Sequence, residues 1–356
     1  MSELTTEPPA LPTGGGRSPW WRGAVKWGLV GAAFYFAWRL LAGMRWADLT
    51  ARLAEASWPL VAAAIFFLVL RFALWDLRFR LAATRATGER APGGLFGFPV
   101  LLASAALNLL NPAARLLGGP LRARSFARAC RRPFGLFYGI VLYDQLAHQT
   151  VVSALTCLAV LAAAAARGYV AAGLSGLAVL ATLTFGLVLW SRRRGPFERN
   201  PIVLFLARRA ELSQGGLQKV FREGHEAAGV FIRLLADSRM APLALLLGTI
   251  LFLANAVAQW LIFRALGQSV GVLPVIAVVA LGNAAGMLAG TPGGVGTTEA
   301  AMVAAYVTVG VDRASAGAAT LLFRGLHYVL VVAVGLPALA WLEARGPRRA
   351  ATVSGP

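Results

Sequence analysis

Residues 288–302 read LAGTPGGVGTTEAAM, between two apolar stretches, Val272–Met287 and Val303–Val311. A segment able to cross a membrane is thus interrupted midway by Pro292, Gly293, Gly294, Gly296, two threonines and Glu299. Proline removes a backbone donor and glycine admits conformations closed to other residues, so the chain can reverse here. Irregular backbone at membrane depth is tolerated only against protein or a wet cavity. The whole of Val272–Val311 therefore reads as a re-entrant helical hairpin with this stretch as its turn. Thr297 or Thr298 is placed to cap the helix that restarts. Glu299 falls in its first turn, where a carboxylate suits the helix dipole.

The rest of the chain agrees with a membrane setting. Of its residues 58% are hydrophobic and the mean hydropathy is +0.66, beyond the range of ordinary soluble domains. Several runs reach the roughly 20 apolar residues that a spanning helix needs. The segments of about ten alternating residues that would build a membrane barrel are missing. The formal charge of +19 comes from arginines clustered between apolar runs, which is the positive-inside pattern rather than a nucleic-acid surface. Cys130 and Cys157 have no disulfide or zinc spacing, and His148, His225 and His327 are scattered. No cofactor or metal is expected. GTPGGVGTTE lacks the Lys-Ser/Thr ending of a phosphate-binding P-loop.

Six full spans are expected, at Gly23–Leu41, Trp58–Trp75, Phe134–Ala165, Val170–Ser191, Ala241–Phe263 and Ala314–Leu342. Two broken regions, Leu95–Ala127 and Val272–Val311, are expected to be re-entrant. Arg17, Arg22 and Lys26 put the N-terminus in the cytoplasm, and Arg78, Arg80, Arg85 and Arg90 do the same for the loop after the second span. Arg128, Arg131 and Arg132 bring the first broken region back to the side it left. The second broken region dips in from the outside, and Arg345, Arg348 and Arg349 return the C-terminus to the cytoplasm. The expected fold is thus an all-α polytopic membrane protein, with six transmembrane helices and two re-entrant hairpins in an inverted repeat (58–165 and 241–342). A disordered tail (1–19) precedes a single membrane domain (20–346), and a short tail (347–356) follows it. Segment 200–238 carries a cytoplasmic amphipathic helix, with Leu217, Val220, Phe221, Ala228, Ile232 and Leu235 on its apolar face.

Polar landmarks recur with the hydropathy. The first hairpin carries Asn108 and Asn111, a break at Pro112, Gly118 and Gly119, and then Arg122; the second carries Asn283, its own break, and Glu299. Some 22 to 25 residues on, the next span carries a charge with a histidine one turn later: Asp144 with His148, and Arg324 with His327. The signs are opposite at both positions. An ionised group at the centre of a bilayer helix costs roughly 2.5–3.5 kcal/mol on insertion scales, so these four are hard to place against lipid and can neutralise one another if the hairpins meet inside the bundle. Arg122 follows Gly119 and Pro120, a helix start, where a cation opposes the dipole unless an anion visits. That anion is either Glu299, as a structural pair, or a phosphate. Glu299 is open to the plainer reading of cap and ion-pair partner.

The segments NLLNPAARLLGGPLRA and TPGGVGTTEAAM with AATLLFRGLHYVL resemble the membrane region of lysylphosphatidylglycerol synthases and of free-standing, YbhN-like proteins called flippase-like. Pro292, Gly293, Gly294, Gly296, Glu299 and Arg324 match the more specific motif, and Asn108, Pro112, Gly118 and Arg122 match the first more loosely. The resemblance implies a region that moves an aminoacylated phospholipid between leaflets. The chain ends at Pro356 with no room for a synthase domain, so the resemblance implies lipid handling without aminoacyl transfer. The expectation is a non-enzymatic flippase or transporter of an anionic phospholipid or related envelope lipid in the bacterial inner membrane. Its substrate-binding residues would be Arg122, Glu299, Arg324, Asp144, Asn108, Asn111, Asn283, His148 and His327. The alternative is a non-transporting scaffold for a lipid- or hopanoid-modifying enzyme.

Overall fold

A computed structural model of the chain describes residues 51, 54–110, 117–166, 201–288 and 295–344. The spans expected at Gly23–Leu41 and Val170–Ser191, both tails, and Asn111, Pro112, Pro292, Gly293 and Gly294 lie outside the described residues. Among the described residues there are ten helices and no strand. They are α1 (Trp58–Thr87), α2 (Gly94–Leu110), α3 (Gly118–Cys130), α4 (Phe134–Ala166), α5 (Pro201–Leu212), α6 (Gly215–Ala236), α7 (Met240–Ala265), α8 (Val272–Leu288), α9 (Thr297–Thr308) and α10 (Arg313–Ala344). Three of them, α1, α7 and α10, are long and apolar enough to cross a membrane.

The interrupted regions each form a pair of shorter helices, α2 with α3 and α8 with α9, in contact with each other. One boundary differs from the sequence reading in a way that matters. Helix α1 does not stop at Trp75 but runs 30 residues to Gly88, whose φ of 73° ends it in the left-handed conformation glycine tolerates. Arg78, read from sequence as a loop charge, is therefore inside a helix and fully buried. Leu77, Phe79, Leu81 and Ala82 carry the apolar pattern past the arginine, so the helix continues.

The amphipathic helix expected within segment 200–238 is α6, and α5 precedes it. The second half of α6 buries Ala227, Val230, Ile232, Leu234 and Leu235 and packs on α4, whereas Leu217 and Val220 are exposed. The close approach to α4 needs Gly139, where a Cβ would stand 2.4 Å from the Ala227 carbonyl oxygen.

Contacts at the two ends of the bundle define its topology. An Arg132–Glu89 ion pair ties the end of α3 to the turn before α2, so this pair of helices starts and finishes at one end. At the other end, the rings of Phe263 and Tyr306 meet and Trp260 Nε1 donates to the Val270 carbonyl. The end of α7, the start of α8 and the end of α9 are thereby gathered together. The Ser57 amide donates to the Ala265 carbonyl at 2.8 Å, placing the start of α1 beside the end of α7. Near the first end, Arg85 on α1 pairs with Asp237 just before α7. Helices α1 and α7 therefore run antiparallel. The packing also repeats: α2 touches α3 as α8 touches α9, α3 touches α4 as α9 touches α10, and α2 lies on α10 as α8 lies on α4.

Candidate functional site

A cavity of about 380 Å³ opens between two sets of helices, α1–α4 and α7–α10. From the first set it is lined by Arg71, Trp75, Asn108, Gly119, Arg122 and His148, and from the second by Asn255, Asn283, Thr298, Arg324, His327 and Tyr328. Six of the nine binding residues expected from sequence (Asn108, Arg122, His148, Asn283, Arg324 and His327) thus line one cavity. Asp144 and Glu299 are not in the lining; each is buried directly behind an arginine. Asn111 lies outside the described residues.

The first turn of α3 reaches the cavity because the break before it is tightly tied. The Gly118 amide donates to Asn108 Oδ1 at 2.8 Å, and the Ser104 hydroxyl donates to the Gly118 carbonyl at 2.7 Å. A Cβ on Gly118 would stand 2.3 Å from the Ser104 carbonyl oxygen, so only glycine fits. Asn108 thus satisfies a backbone group freed by the break. In the second pair the Asn283 amide donates within α8 to the Val279 carbonyl at 3.0 Å.

Asp144 is 1% exposed and collects three donors. Arg78 Nε bonds Oδ1 at 2.8 Å, while Trp75 Nε1 and Arg122 Nη2 bond Oδ2 at 2.7 and 3.0 Å. Arg122 also lies over the Phe79 ring, 4.5 Å from its centroid. Its Nε and Nη1 are buried and have no hydrogen-bond partner among the described residues. Buried donors left unmatched in this way are rare and call for an explanation.

In the second set Glu299 plays the matching part. Its Oε1 accepts from Arg324 Nε at 2.6 Å and from the Tyr328 hydroxyl at 2.7 Å. Its Oε2 accepts from the Gly296 amide at 2.7 Å, which caps α9. The N-cap of α9 is Gly296, so Thr297 and Thr298, the caps expected from sequence, stand instead at the first two helical positions.

The four charges do not pair across the two sets, as an Arg122–Glu299 bridge would require. Each pair closes within its own set, Arg122 with Asp144 and Arg324 with Glu299. The reason is packing: α3 lies on α4 and α9 on α10, so the counter-charge on the next helix is nearest. The two bridges are the same bridge with reversed polarity.

The match to known proteins bears on what this arrangement belongs to. Residues 25–335 match the family model described as the lysylphosphatidylglycerol synthase TM region. The chain belongs to that family. It is a membrane protein with similarity to other members. A UPF0104 membrane protein of Methanothermobacter thermautotrophicus is 25% identical over 297 residues, 82% of this chain and 87% of the relative. A UPF0104 membrane protein of Pyrococcus horikoshii is 30% identical over 118 residues, 33% of this chain and 35% of the relative.

Four of the residues that build the site in this family member were not singled out from the sequence. Arg71, Trp75 and Arg78 lie at i, i+4 and i+7 on one face of α1, and Tyr328 lies one turn after Arg324. Arg71 Nη1 stands 3.3 Å from His327 Nδ1, whose ring stacks on Phe72. Two cations inside an apolar run are themselves a signal of function in a membrane helix. For Arg78 that signal was hidden by the arginines that follow it. Around the cavity, Arg78 and Arg122 share Asp144, Arg324 pairs with Glu299, and Arg71 meets His327.

Proposed function

We propose that this protein moves an anionic lipid across the membrane, taking the head group into the cavity between its two sets of helices. The observation that carries this is Arg122, a buried guanidinium facing the cavity with two unmatched nitrogens. Leaving such donors empty costs about 1–3 kcal/mol or more each, whereas a phosphate accepts from them in the charge-assisted geometry arginine favours. The first turns of α3 and α9 meet the same cavity through Gly119 and Thr298, adding two positive helix ends.

The architecture supports the same reading. We take α1–α4 and α7–α10 as an inverted repeat, with α2–α3 and α8–α9 re-entrant from opposite faces, a plan that places binding sites at the midplane between repeats. With the spans at Gly23–Leu41 and Val170–Ser191, this gives six full transmembrane helices. The end of the bundle that carries Arg85, Arg90, Arg128, Arg131 and Arg132 is the cytoplasmic one, both termini lie on that side, and the membrane is the cytoplasmic (inner) membrane. The protein changes the position of its lipid and not its bonds.

The test is lipid movement in proteoliposomes, read as loss of labelled phosphatidylglycerol fluorescence to an external quencher. Wild type is expected to accelerate the loss, and Arg122→Ala and Glu299→Gln to abolish it while still folding and inserting. Full transport by both variants would remove the site from the mechanism. The second reading is a non-transporting scaffold for a lipid-modifying enzyme. It draws on Glu299, both of whose oxygens are engaged inside the protein. It predicts no movement by wild type, together with co-purification of a defined enzyme.

A further inference from the structure

We infer that the cavity recognises a hydroxyl-bearing head group, the polyol of a phosphodiester, which names the substrate class of the site proposed above and rests on that reading of it. The observation is the kind of polar group around the cavity. Asn108, Gln145, Gln149, Asn255, Asn283 and Thr298 line it, five carboxamides and a hydroxyl drawn from both sets of helices. A carboxamide presents an NH2 donor and a carbonyl acceptor, whereas the phosphate of a phosphodiester only accepts. Gln149 Oε1 is buried and has no hydrogen-bond partner among the described residues. A phosphate cannot satisfy that acceptor, and a hydroxyl can. A site built around such a group rejects the analogue that lacks the hydroxyl, because the buried acceptor is then left unmatched.

The position of Gln149 relative to Arg122 suits one molecule that meets both. Asp144 holds Arg122 through Nη2 at 3.0 Å, and Gln149 follows Asp144 by five residues on α4. That is about 7 Å along the helix axis, comparable to the reach of a glycerol unit and its terminal hydroxyl from the phosphorus. Arg122 takes the phosphate and Gln149 the hydroxyl. An ammonium is the other donor a head group can offer, and its natural partner is a carboxylate. Asp144 and Glu299 stand behind Arg122 and Arg324, each bonded to its arginine, and the lining contains neither Asp nor Glu among the described residues. The volume of about 380 Å³ is at the small end of ligand sites, enough for one polyol head group.

The experiment measures binding of four probes to the full chain in detergent. The probes are short-chain phosphatidylglycerol, phosphatidylpropanol and phosphatidylethanolamine, and the deacylated glycerophosphoglycerol. The first two carry the same charge and differ only in the two hydroxyls, so charge plays no part in the comparison. Phosphatidylglycerol is expected to bind about tenfold tighter than phosphatidylpropanol, the worth of one buried hydrogen bond. Gln149→Leu strands no protein partner of Oε1, so it should fold; it should bind phosphatidylpropanol as wild type does and lose most of the preference. Arg122→Gln leaves Asp144 paired with Arg78, and should weaken both lipids by a similar factor while keeping the preference. Glycerophosphoglycerol binding as tightly as phosphatidylglycerol would uphold the chemistry and identify a soluble polyol phosphodiester as its source. Equal affinity for phosphatidylglycerol and phosphatidylpropanol, tighter binding of phosphatidylethanolamine, or a preference that survives Gln149→Leu would overturn the inference. Movement of phosphatidylglycerol and phosphatidylpropanol alike in proteoliposomes, with equal affinities, would overturn it while leaving the translocation reading intact. Hydroxyl-selective binding without movement of either lipid would do the reverse.

Discussion

Replacing Asp144 by asparagine tests the central ion cluster. The substitution keeps shape and removes the one negative charge that Arg78, Arg122 and Trp75 share at 2.7–3.0 Å. Both arginines are almost fully buried, at 1% and 3% exposure, so neither can turn to water. Breaking a buried pair in this way costs about 3–5 kcal/mol, because the remaining charge is stranded. Here two cations are stranded, which puts the expectation at the upper end of that range. Replacing the whole cluster with apolar side chains of similar volume is often neutral, since the desolvation penalty disappears with the charges. Arg78→Met combined with Asp144→Leu and Arg122→Met should therefore recover most of the loss and still bind no anion. Unfolding in mixed micelles by detergent titration, followed by tryptophan fluorescence, gives the comparison. Stability of Asp144→Asn within about 1 kcal/mol of wild type would refute the reasoning.

Other consequences concern packing, buried polarity and pH. Gly335→Ala places a Cβ 2.4 Å from the Leu102 carbonyl oxygen where α10 crosses α2, and should cost about 1–3 kcal/mol in the same titration. Gln259 is fully buried with neither amide atom bonded among the described residues, so Gln259→Leu should be neutral or stabilising, seen as an unchanged or raised melting temperature. Asp237, in the turn before α7, accepts from the Met240 and Arg239 amides and pairs with Arg85; these hold its carboxyl below the usual carboxylate range. A depressed folded pKa means its contribution is complete above the unfolded value of about 3.9 and is lost as pH falls through the lower folded one. Asp237→Ala should therefore cost about 1 kcal/mol at neutral pH, with the difference from wild type shrinking below about pH 4 in thermal melts.

The sequence was most informative where two physical demands coincided. Proline and glycine inside an apolar run mark a break, and a charge just after the break marks a helix start that must be neutralised in the bundle. Together these mark Arg122, Asp144, Glu299 and Arg324, which the structure joins in two ion pairs. Which acid met which arginine was not legible, because pairing depends on the helix each hairpin arm packs against. Sequence spacing carries no information about that choice. Arg78 was misplaced for a related reason. An arginine at a helix end and one two turns inside the same helix look alike when more arginines follow. Only its 1% exposure distinguishes it.

The reversed polarity of the two bridges separates what is structural here from what is not. At the first bridge the arginine is on the short helix after the break and the carboxylate is on the long one; at the second the roles are exchanged. A structural demand for neutrality is met equally by either arrangement, so the bridges by themselves do not require a ligand. The asymmetry lies elsewhere. Helix α1 adds Arg71 and Arg78 to the first set, whereas α7, which occupies the corresponding position in the second, presents the uncharged Asn255 to the cavity. Of these two, Arg78 is held by Asp144 and belongs to the structural network. Under the proposed reading Arg122, bonded to Asp144 and lining the cavity, is where that network and the binding surface meet.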